Sequence, residues 1–189
     1  MINNYFTNAV NIAKDICKRK LDNGDTAVDA TMGNGNDTLF LSELVGYSGR
    51  VYAFDIQQTA LKNTYEKISK NGSLEYVKLI NDSHENMDMY INDKVKLVVF
   101  NLGYLPKGDH SITTTADTTL LGLKKALDLI EANGVVILVV YCGHEEGSRE
   151  KNVLEDYIKN LSQITYNVVK LCFANQVNSP PMLIIIEKR

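Results

Sequence analysis

Val28-Asp29-Ala30-Thr31-Met32-Gly33-Asn34-Gly35-Asn36-Asp37-Thr38-Leu39 is the stretch whose reading decides the fold. The apolar run from Thr26 to Ala30 has the character of a buried parallel strand. It breaks into a tight Gly-x-Gly turn and re-emerges with helical spacing through Leu39, Phe40, Leu41 and Leu44. Strand, glycine turn and helix start form the layout of a loop that holds a nucleotide-type cofactor. Gly33 and Gly35 remove side chains where the backbone bends sharply and a ligand comes close. Asn36 or Asp37 can cap the helix, and the exposed N–H groups there suit an anionic ligand group.

Outward from that loop the same unit repeats. Val51 to Phe54 forms a second apolar run and ends in Asp55. A carboxylate about 20 residues beyond a glycine turn is placed to accept hydrogen bonds from a cofactor ribose. Gln57 follows, then a helical pattern through Ala60, Leu61, Tyr65 and Ile68. Strands are expected at Glu75 to Ile80, Val95 to Phe100 and Val135 to Tyr141. Ser83 is placed to cap a short helix through Met87 and Met89, and longer helices are expected at Thr118 to Ala132 and Ser148 to Leu161. Before the loop, Phe6, Ala9, Val10, Ala13, Ile16 and Cys17 recur at helical spacing. The Lys18-Arg19-Lys20 end of that helix reads either as a solvated face that complements the dipole or as a phosphate-contacting patch.

Two final runs, Tyr166 to Phe173 and Met182 to Glu187, have no helix between them and should pair antiparallel. The expected architecture is therefore α/β: a Rossmann-like, mostly parallel seven-stranded sheet with a C-terminal antiparallel strand and helices on both faces. One domain is expected over 1–189. The closing pair separates this pattern from an ordinary dinucleotide dehydrogenase and matches a class I methyltransferase sheet.

Composition narrows the function classes. A chain of 189 residues with 44% hydrophobic and 23% charged content is globular. A net charge of −3 disfavours a strongly basic, non-specific nucleic-acid binder. The three scattered cysteines, Cys17, Cys142 and Cys172, fit a reducing compartment rather than a disulfide framework. With no signal-type N-terminus and no apolar run near ~18 residues, a cytoplasmic protein without a membrane span is expected.

Polar residues gather at the expected carboxyl ends of the strands: Asp29, Asp55, Asn81 to His84, Asn101 to His110, and Cys142 to Glu146. Ligands of open α/β sheets bind along that edge. The amino ends carry simple turns such as Asp22-Asn23-Gly24. Asn101-Leu102-Gly103-Tyr104 points most directly to chemistry. An Asn carbonyl can accept from an amine, Gly103 lets the backbone approach a ligand, and Tyr104 offers a flat face to a planar ring. The loop Lys107 to Thr115 is long for its place and is a candidate for function. His84 reads as a neighbour of a cofactor adenine or as a first residue of a helix. His110 and His144 either orient a loop or touch substrate. No close-spaced pair such as His-x-x-x-His is present, so no metal is expected.

Those segments resemble a known family. Asp29 to Thr38 resembles motif I of the bacterial MnmM (YtqB-like) class I SAM-dependent tRNA methyltransferase family, formerly labelled "putative rRNA methylase" (SAM, S-adenosylmethionine). Asn101-Leu102-Gly103-Tyr104-Leu105-Pro106-Lys107-Gly108-Asp109-His110-Ser111-Ile112-Thr113 is similar to its second signature. Tyr141-Cys142-Gly143-His144-Glu145 with Gly147, and Asn175-Gln176 with Asn178 and Pro180-Pro181, resemble its later ones. The tetrad at 101–104 departs from the Asn-Pro-Pro-Tyr form common in amino-methylating enzymes, with Gly103 where a proline would stand.

The resemblance implies a tRNA methyltransferase that uses SAM on the exocyclic amine of 5-aminomethyl-2-thiouridine at the wobble position. The implied cofactor set is Asp29, Met32, Gly33, Asn34, Gly35, Asn36, Asp37, Thr38, Asp55, Gln57, Ser83, His84 and Asn101. The implied catalytic set is Asn101, Tyr104, Asp109 and His110, with Asp109 or His110 as proton acceptor. The substrate set is Gly103, Tyr104, Lys107, His110, His144 and Arg149. The implied partner is a tRNA anticodon stem-loop, and a small chain with a helical N-terminus is compatible with a homodimer. The competing readings are an rRNA or small-molecule methyltransferase of the same fold, an NAD-linked oxidoreductase, and a non-catalytic nucleoside-binding module.

Overall fold

A computed structural model describes residues 6–103, 113–143 and 145–189. Tyr104, Lys107, Asp109, His110 and His144 lie outside the described residues. The chain folds as α1 (Ala9–Lys20), β1 (Thr26–Asp29), α2 (Asn36–Val45), β2 (Arg50–Phe54), α3 (Gln58–Asn71) and β3 (Val77–Ile80). A 3-10 helix (His84–Met89), β4 (Val95–Asn101), α4 (Ala116–Leu129), β5 (Ile130–Val140), α5 (Glu145–Ile158), β6 (Tyr166–Leu171) and β7 (Met182–Lys188) complete it.

The seven strands lie in the order β3-β2-β1-β4-β5-β7-β6. β7 runs antiparallel between β5 and β6, and the other neighbouring pairs are parallel. Continuous apolar runs follow from two covered faces, because successive side chains point to opposite sides. Val136, Leu138 and Val140 pack with Leu123, Ala126 and Leu127 of α4 and Leu154 of α5. Val135, Ile137 and Val139 pack with Ile12, Ala13 and Cys17 of α1 and Leu41 of α2. Burial in that second core pushes the Cys17 thiol up to about 12, so it behaves as a small apolar group.

Several local expectations are corrected. Neither Asn36 nor Asp37 caps α2; the N-cap is Gly35, in the left-handed region at φ 73°, with no side-chain cap. Ser83 supplies no side-chain cap either. Asp82 holds that turn instead, accepting from Ser83 N (2.7 Å), Asn86 Nδ2 (3.0 Å) and Tyr90 Oη (2.8 Å). The Tyr90 hydroxyl in particular holds the Asp82 carboxyl below its ordinary value.

The helix expected to reach Ala132 ends at Leu129. Ile130 already pairs with Val95, and the register then jumps to Leu97 opposite Val135. Residues 131–134 form a bulge that contains Asn133 at φ 61°. Pairing with β4 overrode the helical pattern there. Likewise α5 starts at Glu145 rather than Ser148, and β6 ends at Leu171 rather than Phe173.

The topology fixes where a ligand can sit. β1 lies between β2 and β4, and the chain's connections diverge on either side of it. A crevice at such a switch point opens outside the carboxyl ends of the strands. The glycine loop follows β1, Asp55 follows β2 and Asn101 ends β4, so all three meet there.

Candidate active site

A cleft of about 780 Å³ opens along that edge. It is within the size range of small-molecule and cofactor sites. From the implied cofactor set Met32, Gly33, Asn34, Asn36, Asp37, Asp55, Gln57, Ser83, His84 and Asn101 line it, and from the substrate set Gly103 does. Asp29, Gly35, Thr38 and Arg149 are not among its lining residues.

Asp29 is fully buried beneath the loop. Its carboxylate accepts from Thr31 N at 3.1 Å and from Thr38 Oγ1 at 2.6 Å. It therefore shapes the loop and the first turn of α2 from below. Burial, with Asp37 nearby, pushes its carboxyl up to about 7. Gly35 packs against α3: a Cβ there would stand 2.8 Å from Thr64 Oγ1 and 2.9 Å from Thr64 Cα. Thr64 also donates to Gly33 O at 3.1 Å, which pins the loop to α3.

Asp55 binds the loop from the other side. Gly33 N donates to its Oδ2 at 3.0 Å and Gln57 N to its Oδ1 at 2.9 Å. Burial raises its pKa against those bonds. Ionised, each carboxylate oxygen keeps further acceptor capacity, so Asp55 can still take ligand hydroxyls.

Asn101 is set by two neighbours, Thr31 and Asp37. Its backbone N donates to Thr31 Oγ1 at 2.8 Å, and its Nδ2 donates to Asp37 Oδ2 at 3.1 Å. Asp37 in turn pairs with Lys14 at 3.2 Å. An ionised carboxylate only accepts, so the amide nitrogen must face Asp37. Among the described residues no donor reaches Asn101 Oδ1, which remains an acceptor on a residue lining the cleft. Gly103, at φ 126°, is tied down at both ends. Its N donates to Thr114 Oγ1 at 2.9 Å and its O accepts from Thr114 N at 3.2 Å. The Gly103 carbonyl is thus already engaged by Thr114.

His84 begins the 3-10 helix and is 7% exposed. Ala30 O only accepts, so His84 Nδ1, 3.1 Å away, carries the proton. The ring presses on α4, where a Cβ at Gly122 would stand 2.6 Å from His84 Cδ2. Burial pushes its pKa down to about 4, so it is neutral at physiological pH. Arg149 lies on the rim of α5, paired with Asp117 at 3.2 Å and Glu146 at 3.8 Å. Of the Lys18-Arg19-Lys20 cluster, Lys18 pairs with Asp15 at 3.3 Å and Lys20 pairs with Glu187.

The cleft also has a wall outside the implied residue sets: Thr113, Thr114 and Thr115, which end the candidate loop Lys107 to Thr115, together with Tyr141 and the segment Asn178 to Pro181. Asn178 and Ser179 adopt φ 65° and 48°. The expected strands leave residues 174–181 between them, longer than the usual two to five, which marks an unusual loop but not its place against the cleft.

A protein-family model described as "Putative rRNA methylase" matches residues 51–187. An Arabidopsis thaliana protein named tRNA (mnm(5)s(2)U34)-methyltransferase, chloroplastic, is 36% identical over 190 residues, covering 95% of this chain and 69% of its own. A Clostridium thermocellum protein described as a putative rRNA-methylase superposes with a TM-score of 0.96 at 46% identity, over 97% of this chain and 99% of that one. A Streptococcus mutans protein described as a putative methyltransferase, in complex with SAH, superposes with a TM-score of 0.88 at 37% identity, over 100% of both chains.

Proposed function

The chain belongs to the family described as "Putative rRNA methylase" and is a SAM-dependent methyltransferase; from that premise we propose that it methylates the exocyclic amine of 5-aminomethyl-2-thiouridine at the tRNA wobble position, giving the 5-methylaminomethyl form. The nucleoside is the one suggested by the name of the Arabidopsis relative. The observation that carries the amine assignment is the fixed orientation of Asn101, whose amide oxygen is left to accept while its nitrogen is held by Asp37.

The donor set of the cleft fits SAM. No side chain caps the first turn of α2, so its N–H groups suit the carboxylate of an amino-acid moiety. Asp37 and Asp55 place carboxylates on the cleft wall, which suits a cation. Asp55 can take ribose hydroxyls, and Ile56 and Gln57 beside it can bound an adenine. When bound, SAM supplies an electrophilic methyl group on a cationic sulfur.

The protein's own part is orientation. A neutral amine is already a nucleophile, so it needs alignment rather than activation. Asn101 Oδ1 accepts one amine N–H and directs the nitrogen lone pair away from itself, towards the cofactor half of the cleft. The surplus proton of the methylated ammonium then passes to solvent or to an acceptor in the 104–112 segment, where Asp109 and His110 are the candidates in the sequence. Tyr104 would face the base from that segment. Placing the amine in the cleft displaces competing water from the reacting atoms.

The partner in this reading is the anticodon stem-loop, from which a wobble base can leave its stack inexpensively. Among the described residues no helix is long and apolar enough to cross a membrane. A cytoplasmic location belongs to the proposal. So does a homodimer, supported by the edge strand β6, where Val169 is 54% exposed. The test uses tRNA that carries 5-aminomethyl-2-thiouridine, incubated with the protein and isotopically labelled SAM, then digested and weighed nucleoside by nucleoside. The expected result is one labelled methyl on that nucleoside. An unchanged nucleoside, with label in another RNA or in none, overturns the reading.

A further inference from the structure

Glu150 of α5 is 1% exposed, although burying a carboxylate costs several kcal/mol unless its oxygens are well bonded. It accepts from Thr119 Oγ1 of α4 at 2.5 Å and from Thr114 Oγ1 at 3.3 Å. Thr114 Oγ1 accepts at the same time from Gly103 N at 2.9 Å. The chain of bonds is therefore directional: Gly103 N–H to the Thr114 hydroxyl, and the Thr114 hydroxyl to Glu150. A backbone N–H can only donate, so Thr114 Oγ1 turns a lone pair towards Gly103 and its own proton towards Glu150. Glu146, one turn earlier on α5, accepts from Ala116 N at 3.1 Å and holds the start of α4 in the same region. Packing α5 on α4 requires none of this; apolar side chains of similar volume would do it as well or better.

We propose that Glu150 is a positioning residue for the acceptor half of the cleft, fixing through Thr114 the Gly103 peptide that stands two residues beyond Asn101. Gly103 is at φ 126°, which few other residues adopt, so its orientation is maintained by its bonds rather than by local sterics. The two Thr114–Gly103 bonds hold together two peptides eleven positions apart in the chain. Glu150 thus acts on the acceptor side of the cleft through Thr114 and the Gly103 peptide.

The effect on turnover rests on the methyl-transfer reading; the bond chain does not. The experiment compares Glu150→Gln, Thr114→Val and Thr114→Ser in the full chain. It measures SAM affinity by calorimetry, kcat and KM on the aminomethyl-thiouridine tRNA, and Gly103 amide exchange in protein labelled with [15N]glycine. Glu150→Gln and Thr114→Val should lower kcat roughly 10- to 100-fold, the scale of a misplaced reacting group, with SAM affinity unchanged. Both should speed exchange at Gly103, and Thr114→Ser should recover most of each loss. Unchanged kcat and unchanged Gly103 exchange overturn the proposal. A loss shared equally by SAM affinity and melting temperature also overturns it, since that is the signature of packing alone. If Glu150→Gln does not fold, the contrast between valine and serine at 114 decides. If the wild type leaves the tRNA unmethylated, the proposed function fails, and the Gly103 amide still decides this inference.

Discussion

Asn101 Nδ2 lies 3.1 Å from Asp37 Oδ2, so a residue ending β4 is oriented by one in the first turn of α2. The contact joins the two halves of the cleft. Lys14, on the helix that precedes the whole sheet, completes it by pairing with Asp37 at 3.2 Å. The side chain assigned to the acceptor is held by the same carboxylate that borders the cofactor loop.

Asn101→Ala should therefore lower kcat about 100-fold while leaving most of the SAM affinity in place. Asp37→Asn should have a smaller effect in the same direction, because an amide at 37 can donate as well as accept and no longer dictates which way Asn101 faces. Steady-state methyl transfer and calorimetry on the two variants check this. Equal losses of affinity and turnover at Asn101 would make it a cofactor ligand rather than an acceptor ligand.

Asp55→Ala should weaken SAM binding by roughly 100-fold or more. The substitution removes the acceptor of Gly33 N and Gln57 N along with the group assigned to the ribose. Hydrogen bonds to a charged group contribute about 1.5–3 kcal/mol each. Titration with SAM, and with NAD as the comparison, measures it; unchanged SAM affinity removes the assignment.

The fold was legible because its signals are local and repeated. Apolar runs ending in Asp29, Asp55 and Asn101 each announce a strand whose carboxyl end faces one edge, and the helix-free connection before Met182 announces the antiparallel finish. The site was legible where a residue follows its strand directly, as at Asp55 and Asn101. Two kinds of information were not available in the sequence. One is depth: nothing at Asp29 says that its carboxylate supports the loop from beneath rather than lining the cleft. The other is contact between distant segments. The Asn178–Pro181 wall, the Gly103–Thr114 pair and the buried Glu150 arise only when β7 returns between β5 and β6 and α5 packs on α4. Pairing geometry also outweighed helical periodicity at residues 130–134.

Gly35→Ala should destabilise the protein by about 2–4 kcal/mol and weaken SAM binding with it. The position is left-handed at φ 73°, and the added Cβ meets the Thr64 backbone at 2.9 Å, where no rotamer change gives relief. Urea unfolding measures the loss. A serine or alanine at Gly72 is a useful contrast: it too is left-handed, at φ 79°, but its Cβ would meet nothing within 4 Å. A change there should show the backbone contribution alone, with no loss of SAM affinity.

Asp29 and His84 give stability opposite pH dependences over nearly the same range. Burial raises Asp29 from 3.8 to about 7, so the folded chain retains a proton that the unfolded chain has lost. That stabilisation is present below the unfolded value and is lost as pH rises from about 4 to about 7. Burial lowers His84 from 6.5 to about 4, so the folded chain excludes a proton that the unfolded chain takes up. Its stabilisation is present above 6.5 and is lost as pH falls towards 4. The wild-type profile should therefore be flatter than that of either single variant. Relative to wild type, Asp29→Asn should gain on the order of 3 kcal/mol between pH 5 and pH 8, and His84→Gln should lose on the order of 2 kcal/mol over the same interval. Urea unfolding of the three proteins at both pH values reads the differences directly. If the differences do not vary with pH, neither side chain titrates abnormally in the folded state, and the burial assigned to them beneath the cofactor loop and against Gly122 is wrong.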